Sequence, residues 1–179
     1  YPMTPASGIL HWFAKYGERC GVAVKQAEDE IAVANMAIGA GHAGVRAMCA
    51  TSGGGFALMT EAIGMAGMIE APVVMVNVMR AGPSTGVPTK TEQGDLNQGL
   101  GASQGDYPRA ILAPATVEDC VSMTAHAFNL AEKYQMPVLM VSDLMLGEHR
   151  ETVDPDALDL APRIERGEIV GDPNGAGEH

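Results

Sequence analysis

The chain has 179 residues, 46% of them apolar, enough to bury one core and too few to promise a second. Eleven Lys and Arg stand against 22 Asp and Glu, and the resulting formal charge of -11 repels a phosphate backbone at long range, which argues against nucleic acid as a partner. Cys20, Cys49 and Cys120 form no CxxC pair that could hold zinc or an iron–sulfur cluster, and no signal peptide or bilayer-length apolar run is present, so a reducing, cytoplasmic setting without a membrane is expected.

From the start of the chain, Tyr1-Pro2 reads as the end of a strand, so the domain is expected to be incomplete at its N-terminus. Thr4 followed by Pro5 reads as a helix N-cap and first helical position. Gly21 to Val24 is the first candidate strand. Glu28, Asp29 and Glu30 then precede apolar residues at helical spacing, Ile31, Ala34 and Ile38. Acids at a helix start ordinarily cap it or meet its dipole. Because Ile31-Ala32-Val33-Ala34 follows Glu30 directly, one of the three acids is expected to point inward, where a carboxyl can share a proton with a ligand nitrogen.

Arg46 to Ala50 is the second candidate strand, and Thr51-Ser52-Gly53-Gly54-Gly55 leads from it into a helix carrying Leu58, Ala62, Met65 and Ile69. Such glycines let backbone approach a ligand, but the turn has neither the Lys of a P-loop nor GxGxxG spacing, and a tight turn capped by Ser explains it equally. Val73 to Val78 is the most apolar strand. Arg80 ends it, placed either to hold a carboxylate through two hydrogen bonds or simply to meet solvent. Ala81 to Gly94, rich in Gly, Pro, Ser and Thr, reads as a long loop. Ala110 to Leu112 follows as a strand, then Thr116 and Asp119 as a capping box opening a helix with Val117, Val121, Ala125 and Phe128, then Val138 to Val141 as the last strand.

Short apolar runs alternating with helical patterns specify an α/β fold, a parallel sheet with helices on both faces. Its ligand site is expected beyond the carboxyl ends of the strands, where the 51–55 turn and the 81–94 loop emerge. We divide the chain into a domain over 1–150 and a tail over 151–179, with 167–179 offering little to bury and expected to be mobile. His11, His42, His126, His149 and His179 have no metal spacing, and no metal is assigned to this chain.

Several stretches together resemble the alpha subunit of 2-oxoacid:acceptor (ferredoxin) oxidoreductases, most closely the 2-oxoglutarate type. They are Tyr-Pro-Met-Thr-Pro-Ala-Ser at 1–7, Lys-Gln-Ala-Glu-Asp-Glu-Ile-Ala at 25–32, Ala-Thr-Ser-Gly-Gly-Gly-Phe at 50–56, Arg-Ala-Gly-Pro-Ser-Thr-Gly-Val-Pro-Thr-Lys-Thr-Glu-Gln-Gly-Asp-Leu at 80–96 and Ala-Phe-Asn-Leu-Ala-Glu-Lys-Tyr at 127–134. The resemblance implies the pyrimidine-binding domain of the thiamine-diphosphate fold. It implies that Glu30 pairs with N1′ of the aminopyrimidine and so promotes loss of the thiazolium C2 proton. Thr4 and Arg80 match polar residues beside the reacting carboxylate, and Thr51, Ser52 and Gly53 match the turn that approaches the cofactor. Around Lys90, the Pro-Ser-Thr-Gly and Pro-Thr-Lys segments favour a dicarboxylate, with Lys90 expected either to help hold its distal carboxylate or to stand as a solvated loop lysine. Asn97-Gln98-Gly99, Ala81 and Cys49 depart from the family pattern, Cys49 as a matter of core packing.

No Gly-Asp-Gly motif with a downstream Asn is present, so a beta-type partner subunit is implied to hold the diphosphate with magnesium. An iron–sulfur cluster is expected on that partner, with ferredoxin or a similar acceptor receiving electrons and coenzyme A the acyl group. Two other readings remain: a non-catalytic assembly domain of the same fold, and a flavodoxin-like nucleotide-binding module using the 52–55 turn as a phosphate nest.

Overall fold

Runs too short and too β-branched for helices assemble into one parallel sheet in the computed structural model, which describes residues 1–168. Strands β1 (Met48–Thr51), β2 (Val73–Met79), β3 (Ala110–Leu112) and β4 (Pro137–Asp143) lie in the order β1-β2-β4-β3. Every pairing is parallel. β2 is buried along its whole length, as a central parallel strand covered on both faces must be. Pro137 is tolerated because it stands first in its strand.

Helices α1 (Ser7–Tyr16), α2 (Glu30–His42), α3 (Gly53–Met68), α4 (Leu96–Gly101), α5 (Val117–Tyr134) and α6 (Leu144–Glu148) surround the sheet. The odd-numbered strand residues Cys49, Val73, Met75 and Leu139 pack against Ala34, Ala37 and Ile38 of α2 and Phe56, Met59, Ile63 and Ala66 of α3. The even-numbered residues Val74, Val76, Val78, Val138 and Met140 pack against Ala127 and Ala131 of α5, with Ala6 just before α1. The expected helices on both faces follow from this alternation.

Several sequence expectations are corrected. Gly21 to Val24 is not a strand: Gly21 is left-handed and the Val22 N–H donates back to Gly17 O at 2.8 Å, so the segment's donor is spent within the preceding turn. Thr4 is not an N-cap: α1 begins at Ser7 after Ala6, whose side chain cannot cap, and Thr4-Pro5 is a cis peptide. Ile31, Leu58, Ile69 and Val121 are exposed rather than core-facing, Ile31 by 49%. α2 and α3 are apolar nearly all round, so spacing among large residues does not pick out the buried stripe; packing selects the smaller Ala34, Ala37, Ala62 and Ala66 for close approach. The Thr116 side chain does accept from Asp119 N at 3.1 Å, but the reciprocal carboxylate takes Ala115 N at 3.0 Å, one residue earlier than in the ideal box.

At the amino end of the sheet, the chain beyond residue 150 is fastened down. The Asn129 side-chain amide donates to Arg163 O at 2.8 Å and accepts from Glu165 N at 3.0 Å. Glu132, buried in α5, pairs with Arg46 at 2.6 Å and Arg166 at 2.9 Å. Removing Glu132 would take away the shared carboxylate that joins Arg46 and Arg166, two groups that stay partly solvated. Of the segment expected to be mobile, residues 169–179 lie outside the described residues.

The cysteines give a check on this packing. Burial pushes the Cys49 thiol up to about 12, and burial with the neighbouring Asp119 raises that of Cys120, whereas Cys20 is exposed. Iodoacetamide at pH 8 should alkylate Cys20 first, Cys120 more slowly and Cys49 only at the rate of unfolding. Mass spectrometry of peptides over time checks the order, and early labelling of Cys49 would contradict the packing of β1.

Candidate functional site

At the carboxyl ends of β1 and β2, polar residues replace the apolar ones that fill the sheet. Thr51 ends β1 in register with Asn77 on β2, and both continue the odd-numbered face toward α2 and α3. Glu30 meets them from the first turn of α2. Of the three neighbouring acids, Asp29 is the cap, accepting from Ala32 N at 2.7 Å, and Glu28 is exposed. Capping is thereby complete without Glu30, which is 3% exposed.

Gly55 fixes how close these groups come. A Cβ there would collide with Thr51 Oγ1 and stand 2.7 Å from Glu30 Oε1. The backbone of α3 therefore lies directly against the carboxyl, and hydrogen is the only side chain that fits. Two residues earlier, Gly53 has φ 22°, a left-handed value disfavoured for other residues. Ser52 occupies the N-cap position of α3, yet its side chain makes no capping hydrogen bond and is 0% exposed. The reading of this turn as one capped by Ser is therefore not realised.

Among the described residues, the buried side-chain polar atoms without a hydrogen-bond partner are Glu30 Oε1, Ser52 Oγ, Asn77 Oδ1 and Arg80 Nε. Each costs roughly 1–3 kcal/mol when nothing completes it, a large debit against a domain stability of about 5–15 kcal/mol. All four sit at the carboxyl end of the sheet or at the helix starts beside it. Such a concentration, which a ligand or ordered water would complete, makes this edge the candidate site.

Arg80 is not the solvated residue that one sequence reading allowed. It is 8% exposed, with Nη1 donating to Thr4 O at 2.6 Å and Nη2 to Thr85 O at 2.9 Å. It thus ties the N-terminal segment to the 81–94 loop. Thr4 contributes its carbonyl, while its side chain is exposed. The loop is pinned further by Gly82 N to Glu92 at 2.8 Å, Gln93 to Asp143 at 2.8 Å and Asn77 Nδ2 to Asp95 at 3.0 Å. Lys90 stands on its outer side, exposed and in no ion pair among the described residues. The structure therefore brings Glu30, Thr51, Ser52 and Gly53 together on one face of the sheet and Thr4 with Arg80 nearby, and leaves Lys90 at the periphery.

Sequence reading did not single out Asn77, Asp95 or the particular role of Gly55. The available signal was Asn77 itself, a polar residue in the otherwise apolar Val73-Val74-Met75-Val76-Asn77-Val78 run. Two depressions of about 370 and 430 Å³ flank α1, lined by residues including Leu10, His11, Val24, Ile9, Trp12 and Phe13. None of the four unpartnered atoms belongs to a residue lining either depression.

The family described as "Pyruvate flavodoxin/ferredoxin oxidoreductase, thiamine diP-bdg" matches residues 1–171. The chain belongs to that family. It is 50% identical over 153 residues to the 2-oxoglutarate synthase subunit KorA of Archaeoglobus fulgidus, covering 86% of this chain and 44% of the relative. With the KorA subunit of Methanothermobacter thermautotrophicus it shares 44% identity over 164 residues, 91% of this chain and again 44% of the relative. A 2-oxoglutarate:ferredoxin oxidoreductase from Magnetococcus marinus, solved with 2-oxoglutarate, coenzyme A and succinyl-CoA bound, superposes with a TM-score of 0.87 at 43% identity, over 97% of this chain and 30% of that one. The chain spans less than half the length of these relatives.

The Glu30 cradle is directly testable. Gly55→Ala should displace the carboxyl and destabilise the domain by about 1–3 kcal/mol through overpacking, read as a lower thermal midpoint. Gly54→Ala, where the nearest atom to a new Cβ is Ser84 O at 4.0 Å, serves as the control and should have a much smaller effect. Equal tolerance at both positions would contradict the cradle.

Proposed function

We propose that this chain is the pyrimidine-side part of a thiamine-diphosphate-dependent 2-oxoacid:ferredoxin oxidoreductase, acting on 2-oxoglutarate to give the acyl-coenzyme A and carbon dioxide. The observation that carries the reading is Glu30, a buried carboxyl that caps nothing and keeps Oε1 free beside Gly55. A free carboxyl oxygen in a cradle closed by backbone fits a flat heteroaromatic ring with a nitrogen to be protonated. When bound, thiamine diphosphate supplies a nucleophilic thiazolium carbon and an electron sink.

This chain's residues have the following parts. Glu30 holds a proton at N1′ of the ring, and Gly55, having no side chain, leaves the carboxyl its place. Thr51, Ser52 and Gly53 form the backbone surface against the cofactor. Arg80, with two of its nitrogens fixed by carbonyls, retains Nε to meet the carboxylate of the 2-oxoacid, and Thr4 lines the same approach. Lys90 reaches the distal carboxylate of a dicarboxylic substrate from the pinned loop. The domain comprises residues 1–150, with 151–179 leading onward from it.

A beta-type partner subunit holds the diphosphate, magnesium and the iron–sulfur cluster, and ferredoxin or a similar protein takes the electrons. No group of three or more potential metal ligands occurs among the described residues. No helix of the described residues is long and apolar enough to cross a membrane, and a cytoplasmic location is part of this proposal. The phosphate-nest alternative has a physical obstacle: Asp95 Oδ2 stands 3.8 Å from the position of a Cβ on Gly53, putting a carboxylate at the start of α3 where the nest would need an anion.

The test is reconstitution of the full-length subunit with its partner and a panel of 2-oxoacids, coenzyme A and a low-potential acceptor. Glu30→Gln should keep the thermal midpoint while turnover falls by about 10²–10⁴-fold, the range for a lost proton-transfer group. Full activity in that variant would refute the reading. In the same assay Lys90→Ala should lower the preference for 2-oxoglutarate over pyruvate, and an unchanged ratio would remove Lys90 from the substrate site.

A further inference from the structure

After α6 the chain turns back along the domain and is held again at the far end of the sheet. Its partners there are Gly44 and Arg46, which precede β1, and Asn129 and Glu132 near the end of α5, which precede β4. The Asn129 amide takes two backbone groups of this strap, donating to Arg163 O at 2.8 Å and accepting from Glu165 N at 3.0 Å. Arg46 Nη2 donates to Glu165 O at 3.0 Å, and Arg166 Nη2 meets Gly44 O at 2.7 Å and Glu132 Oε1 at 2.9 Å. All of these anchors are polar. Neither apolar core cluster includes a residue beyond Met140, and Leu160 and Ile164 are 72% and 67% exposed. Between α6 and the strap, residues 149–162 hydrogen-bond only among themselves and to Leu146.

A segment held in this way opens under different conditions from the sheet. Its release uncovers neither core cluster, so the hydrophobic term that keeps β2 and β4 buried does not resist it. The ion pair that breaks, Arg166 with Glu132, has an arginine side chain 42% exposed, and such pairs are weak and screened by salt. Glu132 is not left unpaired when the strap departs. Arg46 stays on its Oε2 through Nε at 2.7 Å and on Asn129 Oδ1 through Nη2 at 2.8 Å, contacts that lie wholly within the body of the domain. Opening is therefore local and easier than global unfolding.

The closed and open strap differ in where they put the chain that follows. The candidate site lies at the carboxyl end of the strands, and the strap holds the chain at the amino end, about 23 Å away along a strand of the length of β2. With the strap open, residues 149–166 become a tether anchored at α6, beside the carboxyl end, with a root-mean-square span of roughly 25 Å. That span matches the distance to be crossed. We propose that residues 163–166 are a releasable latch. Closed, it keeps the following chain away from the Glu30 and Arg80 edge; open, it lets that chain swing to the same edge while the sheet stays folded. The latch does not depend on the reaction proposed above.

The experiment uses the full-length subunit co-purified with its partner and follows hydrogen exchange amide by amide. The reporter is the Glu165 N–H, which bonds to Asn129. It should exchange about 100-fold or more faster than the amides of β2 and β4, yet about tenfold or more slower than an unstructured amide. Raising NaCl from about 0.05 to about 0.5 M should speed it further and leave β2 and β4 unchanged. Arg166→Gln should speed it about fivefold and remove most of the salt response, and Asn129→Ala should bring it to the unstructured rate. Exchange of Glu165 at the β4 rate, or at the unstructured rate in wild type, overturns the latch, as does a salt response that Arg166→Gln leaves intact. Reach is read from spin labels at Glu168→Cys and Thr89→Cys in a Cys20→Ser background. Asn129→Ala should add a shorter distance to the wild-type distribution, and an unchanged distribution overturns the swing toward the site. If Asn129→Ala fails to fold, Arg166→Gln at the higher salt gives the same reading.

Discussion

The contact between the backbone of α3 at Gly55 and the carboxyl of Glu30 is the constraint from which the rest of the site follows. Two helices can start side by side at the edge of a parallel sheet only if their first turns do not collide. Here the clearance is obtained by removing a side chain from one and burying a charged-type group from the other. Asp29 makes that possible, because it satisfies the cap of α2 and leaves Glu30 no local work. The two-helix layer built on Phe56, Ile63, Ala34 and Ile38 holds this geometry from below.

Just beyond β2, one guanidinium joins two separate segments. Arg80 ties a segment 76 residues away in sequence to the loop that follows it, using two backbone carbonyls as acceptors. Hydrogen bonds to carbonyls, unlike an ion pair, leave the positive charge uncompensated. That charge is buried within a chain whose formal net charge is -11. The loop between Ala81 and Asp95 is long but not loose, since Glu92, Gln93 and Asp95 each return to the sheet end or to the loop's own start. Glu30 and Arg80 thus each keep one buried polar atom unpartnered at this end of the sheet.

Much of the sheet was legible because parallel strands buried on both faces leave continuous apolar runs, as in Val73 to Met79. Gly21 to Val24 has the same local composition and failed, because its N–H turns back to Gly17 and nothing in four residues announces that. The buried stripes of α2 and α3 were misjudged for a related reason. When nearly every position is apolar, the choice between Ile31 and Ala34 is made by how closely helix and sheet approach, which is a property of the pair. Of the site, the expectation that one acid in 28–30 turns inward was readable from the apolar residues after Glu30. The burial of Arg80 was not, because its partners are carbonyls of Thr4 and Thr85, and backbone oxygens carry no signature in sequence. Asn77 was visible as a polar residue in a central strand, but its meaning depends on Asp95, 18 residues on across a folded loop.

The central claim is that Glu30 holds a proton on the cofactor ring and thereby makes the thiazolium C2 hydrogen labile. The most direct measurement is the rate of exchange of that hydrogen for deuterium, followed by quenched-flow NMR on the reconstituted complex with wild-type and Glu30→Gln subunits. The account predicts exchange slower by about 100-fold or more in the variant, with thiamine diphosphate still bound. Equal exchange rates at equal occupancy would contradict it.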